Sequence, residues 1–171
     1  MNKIYSYPSL VLCTLNTKWV IAVIFLFFVN NQLWSQDVIV ANGPGNTYEE
    51  LTAFLAPGHD PIEVPDCNHA SFGNHIDEVY DTSIGGYAYR FFIHVTPDND
   101  RCIDEIDDRQ RNEIKTHHPS PSNLKGTQGE NVIYKWAFKL PAGFQSSPKF
   151  THIHQLKSVG GDFQSMPMYT L

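Results

Sequence analysis

The chain has 171 residues, 42% of them hydrophobic and 13% aromatic, enough for one domain with a sizeable core but short for two. A formal charge of -6 speaks against a nucleic-acid partner held through its phosphates. It does not exclude a polyanionic sugar, because a local cluster of Arg, Lys and His can work within an acidic protein.

Taken in chain order, the first segment carries the clearest signal. Lys3 and Lys18 precede an unbroken apolar run over 20–29, and Ser35 offers a small residue at a cleavage point. About ten apolar residues suit the centre of a signal peptide, whereas a membrane span needs about twenty. Residues 1–36 therefore read as a signal peptide, with an uncleaved anchor as the rival. The mature chain is expected to be secreted, periplasmic or extracellular, with no stable membrane span. Cleavage would remove Cys13 and leave Cys67 and Cys102. An even pair in an exported protein favours a disulfide.

Residues 37–66 read as an N-terminal extension. Asn42-Gly43-Pro44-Gly45-Asn46 is turn chemistry. Thr47, three residues before Glu50, has the pattern of a capping box and predicts a short helix over 48–55. Pro57-Gly58 ends it, and Pro61 and Pro65 keep the next stretch extended or looping.

Strand signals dominate the rest, residues 67–171. Over 86–96, Tyr87, Tyr89, Phe91, Ile93 and Val95 alternate with Ala88, Arg90, Phe92, His94 and Thr96. A turn at Pro97-Asp98-Asn99-Asp100 follows. Residues 109–116 are a second candidate strand. Over 132–140, Val132, Tyr134, Trp136, Phe138 and Leu140 share one side, the pattern of a half-buried strand. Residues 150–158 and 166–171 complete the set. Short strands between turn clusters, with little helix, predict an all-β sandwich or barrel. The chain ends inside an apparent strand, so the domain is expected to be incomplete at its C-terminus.

Two constellations could carry chemistry. On a strand, Arg111, Glu113 and Lys115 project from one face. Three charges in a row do not sit in a dry core. They are either a solvated face with cross-strand ion pairs or the floor of a polar cleft in which Arg and Lys meet a carboxylate. In His152-Ile153-His154-Gln155 the two histidines share a face and Gln155 points the other way. They read as ordinary surface or core histidines, as two zinc ligands wanting a third from His94, His117 or His118, or as a general acid–base pair. The acidic stretch 98–108 lacks the glycine and terminal glutamate of an EF-hand loop, so no cofactor or metal is expected, and a structural calcium has no support. Tyr87, Tyr89, Trp136 and Phe138 read as core residues rather than sugar platforms.

Taken together, Asp108-Arg109-Gln110-Arg111-Asn112-Glu113-Ile114-Lys115 and Phe150-Thr151-His152-Ile153-His154-Gln155-Leu156-Lys157, with Tyr134-Lys135-Trp136 between them, resemble the jelly-roll polysaccharide lyases. This group takes in alginate lyases, glucuronan lyases and heparin-lyase-I-like proteins. The resemblance covers residues 72–171 and implies a jelly-roll, concanavalin-like β-sandwich that binds an acidic polysaccharide and cleaves it beside a uronic acid by β-elimination. It implies Arg111 as neutraliser of the uronate carboxylate, His154 as base with His152 next, and Glu113, Lys115, Asn112 and Lys157 as substrate-binding residues. His152 stands where the alginate branch has Gln, which favours the glucuronan- or heparin-lyase-like branches. The family's late Tyr-Phe-Lys motif has no counterpart, and Tyr169 does not replace it, so a truncated and inactive copy is one expectation. A non-catalytic carbohydrate-binding sandwich is the alternative.

Overall fold

The computed structural model describes residues 36–68, 71–94 and 110–171. Most of the expected signal peptide lies outside the described residues, as do Cys102, the acidic stretch 98–108, and Val95 and Thr96 of the expected 86–96 strand. The chain divides into two units, 1–36 and 37–171, and the second carries every element described below. No helix among the described residues is long and apolar enough to cross a membrane.

Helix α1 (Thr47–Leu55) forms where the sequence places it. Leu51 and Leu55, four residues apart, share one face and are buried. The capping box does not form. Asn46 is the N-cap and makes no side-chain cap hydrogen bond, and Thr47 lies inside the helix, buried. The Glu50 carboxylate turns instead to the Asn42 side chain, whose Nδ2 donates to it at 2.7 Å. Gly58, at φ 79°, makes the turn that leads the chain away, a conformation that favours glycine.

Among the described residues six short strands follow: β1 (Ile62–Glu63), β2 (Ile76–Asp81), β3 (Gly86–Phe91), β4 (Glu113–Ile114), β5 (Gln155–Lys157) and β6 (Pro167–Thr170). They pair antiparallel as β1–β4, β2–β3 and β5–β6. The described residues are therefore β-rich with one short α-helix. The expected jelly roll is not formed among the described residues, because the strands make three separate two-stranded sheets rather than two stacked multi-stranded ones.

Among the described residues, four of the expected strands are shortened to the part that finds a partner, and the fifth forms none. The 86–96 strand keeps Gly86–Phe91, plus one further rung from the Phe92 N–H to the His75 carbonyl at 2.9 Å. The 109–116 strand keeps Glu113–Ile114, extended by the Lys115 N–H to the Pro61 carbonyl at 2.9 Å. The 132–140 segment, whose alternation was the cleanest, forms no strand, and Trp136 and Phe138 are about half exposed (49% and 53%). Alternation sets which way side chains point, but only a neighbouring backbone makes a strand. Of the aromatics expected in the core, Tyr89 packs against it, while Tyr87, Trp136 and Phe138 do not.

The core gathers Leu51, Leu55, Ile62 and Ile76, with Tyr48, Tyr89, Ile114 and Leu124 packed around them. Ile62 is the register partner of Ile114, and Glu63 that of Glu113. The isoleucine pair joins the core, and by the period of two the glutamate pair projects from the opposite face. The same alternation puts Asn112 on the core side, and Arg111 and Lys115 with the glutamates.

Candidate functional site

The face of β4 that turns away from the core carries Arg111, Glu113 and Lys115, as the period of two requires. What the sequence did not reveal is their common partner. Arg111 Nη1 donates to Glu63 Oε2 at 2.8 Å and to Glu113 Oε1 at 3.1 Å. Lys115 Nζ reaches the other oxygen of the same Glu63 carboxylate. The Glu63 side chain is only 7% exposed, against 29% for Arg111 and 36% for Lys115. Two cations thus converge on one buried carboxylate, with a second carboxylate beside it. Burial, and then the hydrogen bond to Glu63, raises the Glu113 carboxyl above its usual range, while Arg111 pulls the other way.

Glu63 is the functional residue that sequence reasoning missed. It lies between Pro61 and Pro65, which mark the stretch as a loop. A single Glu in extended backbone carries no signal until the chain brings β4 alongside.

His117 stands two residues beyond Lys115. Burial lowers its tendency to take a proton, and the charges of Lys115 and His59 lower it further. Its Nδ1 is buried without a hydrogen-bond partner among the described residues.

Asn112, expected among the substrate-binding residues, points inward and makes contacts to backbone. Its Nδ2 donates to the carbonyls of His75 and Phe92, both at 2.8 Å. The amide nitrogen thereby fastens β4 onto the open end of the β2–β3 hairpin, while Asn112 Oδ1 is buried without a hydrogen-bond partner among the described residues. The cause is strand alternation, which turns Asn112 inward when Arg111 and Glu113 face out.

Behind that fastening lies a second polar cluster. His75 is fully buried. Its Nδ1 lies 2.7 Å from Asp66 Oδ1 and its Nε2 lies 2.9 Å from His94 Nε2. A carboxylate can only accept, so Nδ1 carries the proton facing Asp66, and one proton serves the two Nε2 atoms. The Tyr48 hydroxyl donates to Asp66 Oδ2 at 2.9 Å. Burial and this bond hold the phenol well above its ordinary range. The Phe72 ring closes over His75 and His94, with centroids 4.9 Å from each. The cluster ties α1, the Asp66–Asn68 turn and the β2–β3 hairpin together. Asp66 adjoins Cys67, which is disulfide-bonded.

The two histidines of the later motif lie in the segment that leads into the β5–β6 hairpin. His154 exchanges backbone hydrogen bonds with Leu171. Its ring stacks on Trp136 at a centroid distance of 4.0 Å, and its Nε2 is buried without a hydrogen-bond partner among the described residues. His152 is exposed, with its ring against Phe150 at 4.9 Å. Lys157 is exposed at the end of β5. The structure therefore brings Arg111, Glu113 and Lys115 together, and sets Lys157 on a separate two-stranded sheet with His152 and His154 in the segment just before its first strand. Among the described residues no group of three His, Cys, Asp or Glu side chains is arranged to hold a metal ion.

Comparison with known proteins finds no matching family model, no matching curated protein and no matching solved structure.

Proposed function

We propose that the chain is an exported protein that handles a uronate-containing acidic polysaccharide, in the manner of a polysaccharide lyase. The observation that carries this reading is the convergence of Arg111 and Lys115 on one carboxylate. The same geometry suits the carboxylate of a uronic acid, and paired cations there would stabilise the charge that builds up as the C5 proton leaves. In the reaction the C5–H electrons form the C4=C5 double bond and the C4–O bond breaks. A base takes the C5 proton and an acid protonates the departing glycosidic oxygen. Arg111 and Lys115 are assigned to the carboxylate, Glu113 to holding Arg111 in place, and His154 to the base, with His152 next. These roles rest on the two sequence motifs, not on the sheets. The disulfide at Cys67 supports an oxidising compartment outside the cytoplasm.

The test is ultraviolet absorbance during incubation with glucuronan, alginate and heparin. β-Elimination leaves a conjugated double bond that absorbs where the substrates do not. A rise that disappears in Arg111→Ala supports the lyase reading, and no rise from a folded protein removes it.

A second reading, a non-catalytic carbohydrate-binding module, is favoured by one observation. Tyr134, Trp136 and Phe138 are exposed along one extended segment, and His154 stacks on Trp136. Exposed aromatic rings give sugars a flat apolar surface. Binding without any absorbance rise, weakened by Trp136→Ala, would select this reading.

A further inference from the structure

Glu63 deserves a role of its own, because it fills the place at which an anionic ligand would enter. Its carboxylate is nearly buried, and both of its oxygens are taken, one by Arg111 and one by Lys115. The cations are the more accessible partners. An incoming uronate can therefore approach Arg111 and Lys115 from solvent, but it meets cations that are already neutralised.

We infer that Glu63 is an internal competitor for the ligand's carboxylate, and that it sets the specificity of the site for chains carrying several neighbouring anions. This rests on the acidic-polysaccharide reading above. One carboxylate that replaces another at the same two cations gains little. Glu63 is tethered in place, so it competes at the high effective concentration of an intramolecular group. A single uronic acid cannot overcome that. A polyanion can, because further carboxylates along the chain add their own attraction and release counterions. Glu113 does not offer the same competition for both cations. It contacts Arg111 at the longer distance of 3.1 Å, and its carboxyl favours the neutral form more than an ordinary glutamate does.

The experiment is calorimetric binding of glucuronan, and of free glucuronate, to the whole protein at several salt concentrations. Glu63→Gln keeps the shape of the side chain and removes its charge. The expected result is glucuronan binding about five- to tenfold tighter at low salt, since one exposed ion pair becomes available to the ligand. The logarithmic salt dependence should steepen by about one. Free glucuronate should bind measurably to this variant and weakly to the unmodified chain. Adding Arg111→Ala to Glu63→Gln should cancel the gain, and dextran, which is neutral, should respond to neither change. If Glu63→Gln does not fold, Glu63→Asp serves instead, since the carboxylate withdrawn by one methylene should also tighten binding. Wild-type binding of glucuronan with no tightening in a folded Glu63 variant overturns the competitor role and leaves the polysaccharide reading standing. If neither wild type nor variant binds glucuronan, alginate or heparin, the polysaccharide reading falls and this inference with it.

Discussion

Asp66 Oδ1 lies 2.7 Å from Nδ1 of the fully buried His75, and the same oxygen accepts the His75 backbone N–H at 3.1 Å. One carboxylate thus fixes both the position of the residue that opens β2 and the orientation of its ring. Through the ring it reaches His94, and through the His75 carbonyl it reaches Asn112 and β4. The strand that carries the candidate site therefore hangs from a buried hydrogen-bond network rather than from a wide sheet.

Asp66→Ala is accordingly expected to destabilise the protein by about 3 kcal/mol, because it takes a hydrogen-bond partner from the buried imidazole and the acceptor from the Tyr48 hydroxyl together. Urea unfolding would measure this. A loss below about 0.5 kcal/mol, the range of ordinary surface changes, would mean that the network is not what holds β2 in place.

Leu51 is fully buried at the centre of the core. Leu51→Ala should cost about 2–5 kcal/mol, the range for a large-to-small change at a packed site. The exposed Val159→Ala should change stability little by comparison, and similar midpoints for the two variants would contradict the core described above.

Asn112→Ala removes the donor shared by two carbonyls while leaving every charged residue of the site intact. A stability loss of about 1–2 kcal/mol is expected, together with weaker polysaccharide binding because β4 is less firmly placed. Asn112→Ala that binds glucuronan as the wild type does, yet is destabilised, would separate the fastening role from the site.

The raised Glu113 carboxyl gives a pH dependence with a definite sign. Between the ordinary carboxylate range and the raised value, the folded chain keeps a proton that the unfolded chain has lost. The contribution to stability is therefore fully present in acid and is lost as pH rises through the raised value. Glu113→Gln, which cannot ionise, should lose less stability than wild type as pH is raised from about 4 to 7. Parallel stability curves for the two proteins would show that Glu113 titrates as an ordinary exposed carboxyl.

Exchanging one cation at a time should separate the roles of Arg111 and Lys115. Arg111 bridges two carboxylates and Lys115 contacts one. Arg111→Lys keeps the charge but loses the planar fork that spans both partners. It is expected to weaken glucuronan binding more than Lys115→Arg does, and equal effects in titration calorimetry would argue that only the local charge matters.

Some of this protein was legible residue by residue. The Thr47–Glu50 spacing predicts the helix over 48–55 through a capping box that does not form, and Pro57-Gly58 marks its end. Alternation put Arg111, Glu113 and Lys115 on one face, because side-chain direction along extended backbone depends only on position in the chain. Strand partners could not be read in this way. Ile76–Asp81 carries charged residues and gave no clear strand signal, yet it pairs with Gly86–Phe91 across a short turn. The strongly alternating segment 132–140 forms no strand. Pairing depends on which backbone arrives alongside, and that is settled by the core and by the Asp66–His75–Asn112 connections. Glu63 shows the same division. Its chemistry is written in the sequence, but its place between Arg111 and Lys115 depends on register across 50 residues of chain, and only the tertiary structure sets that register.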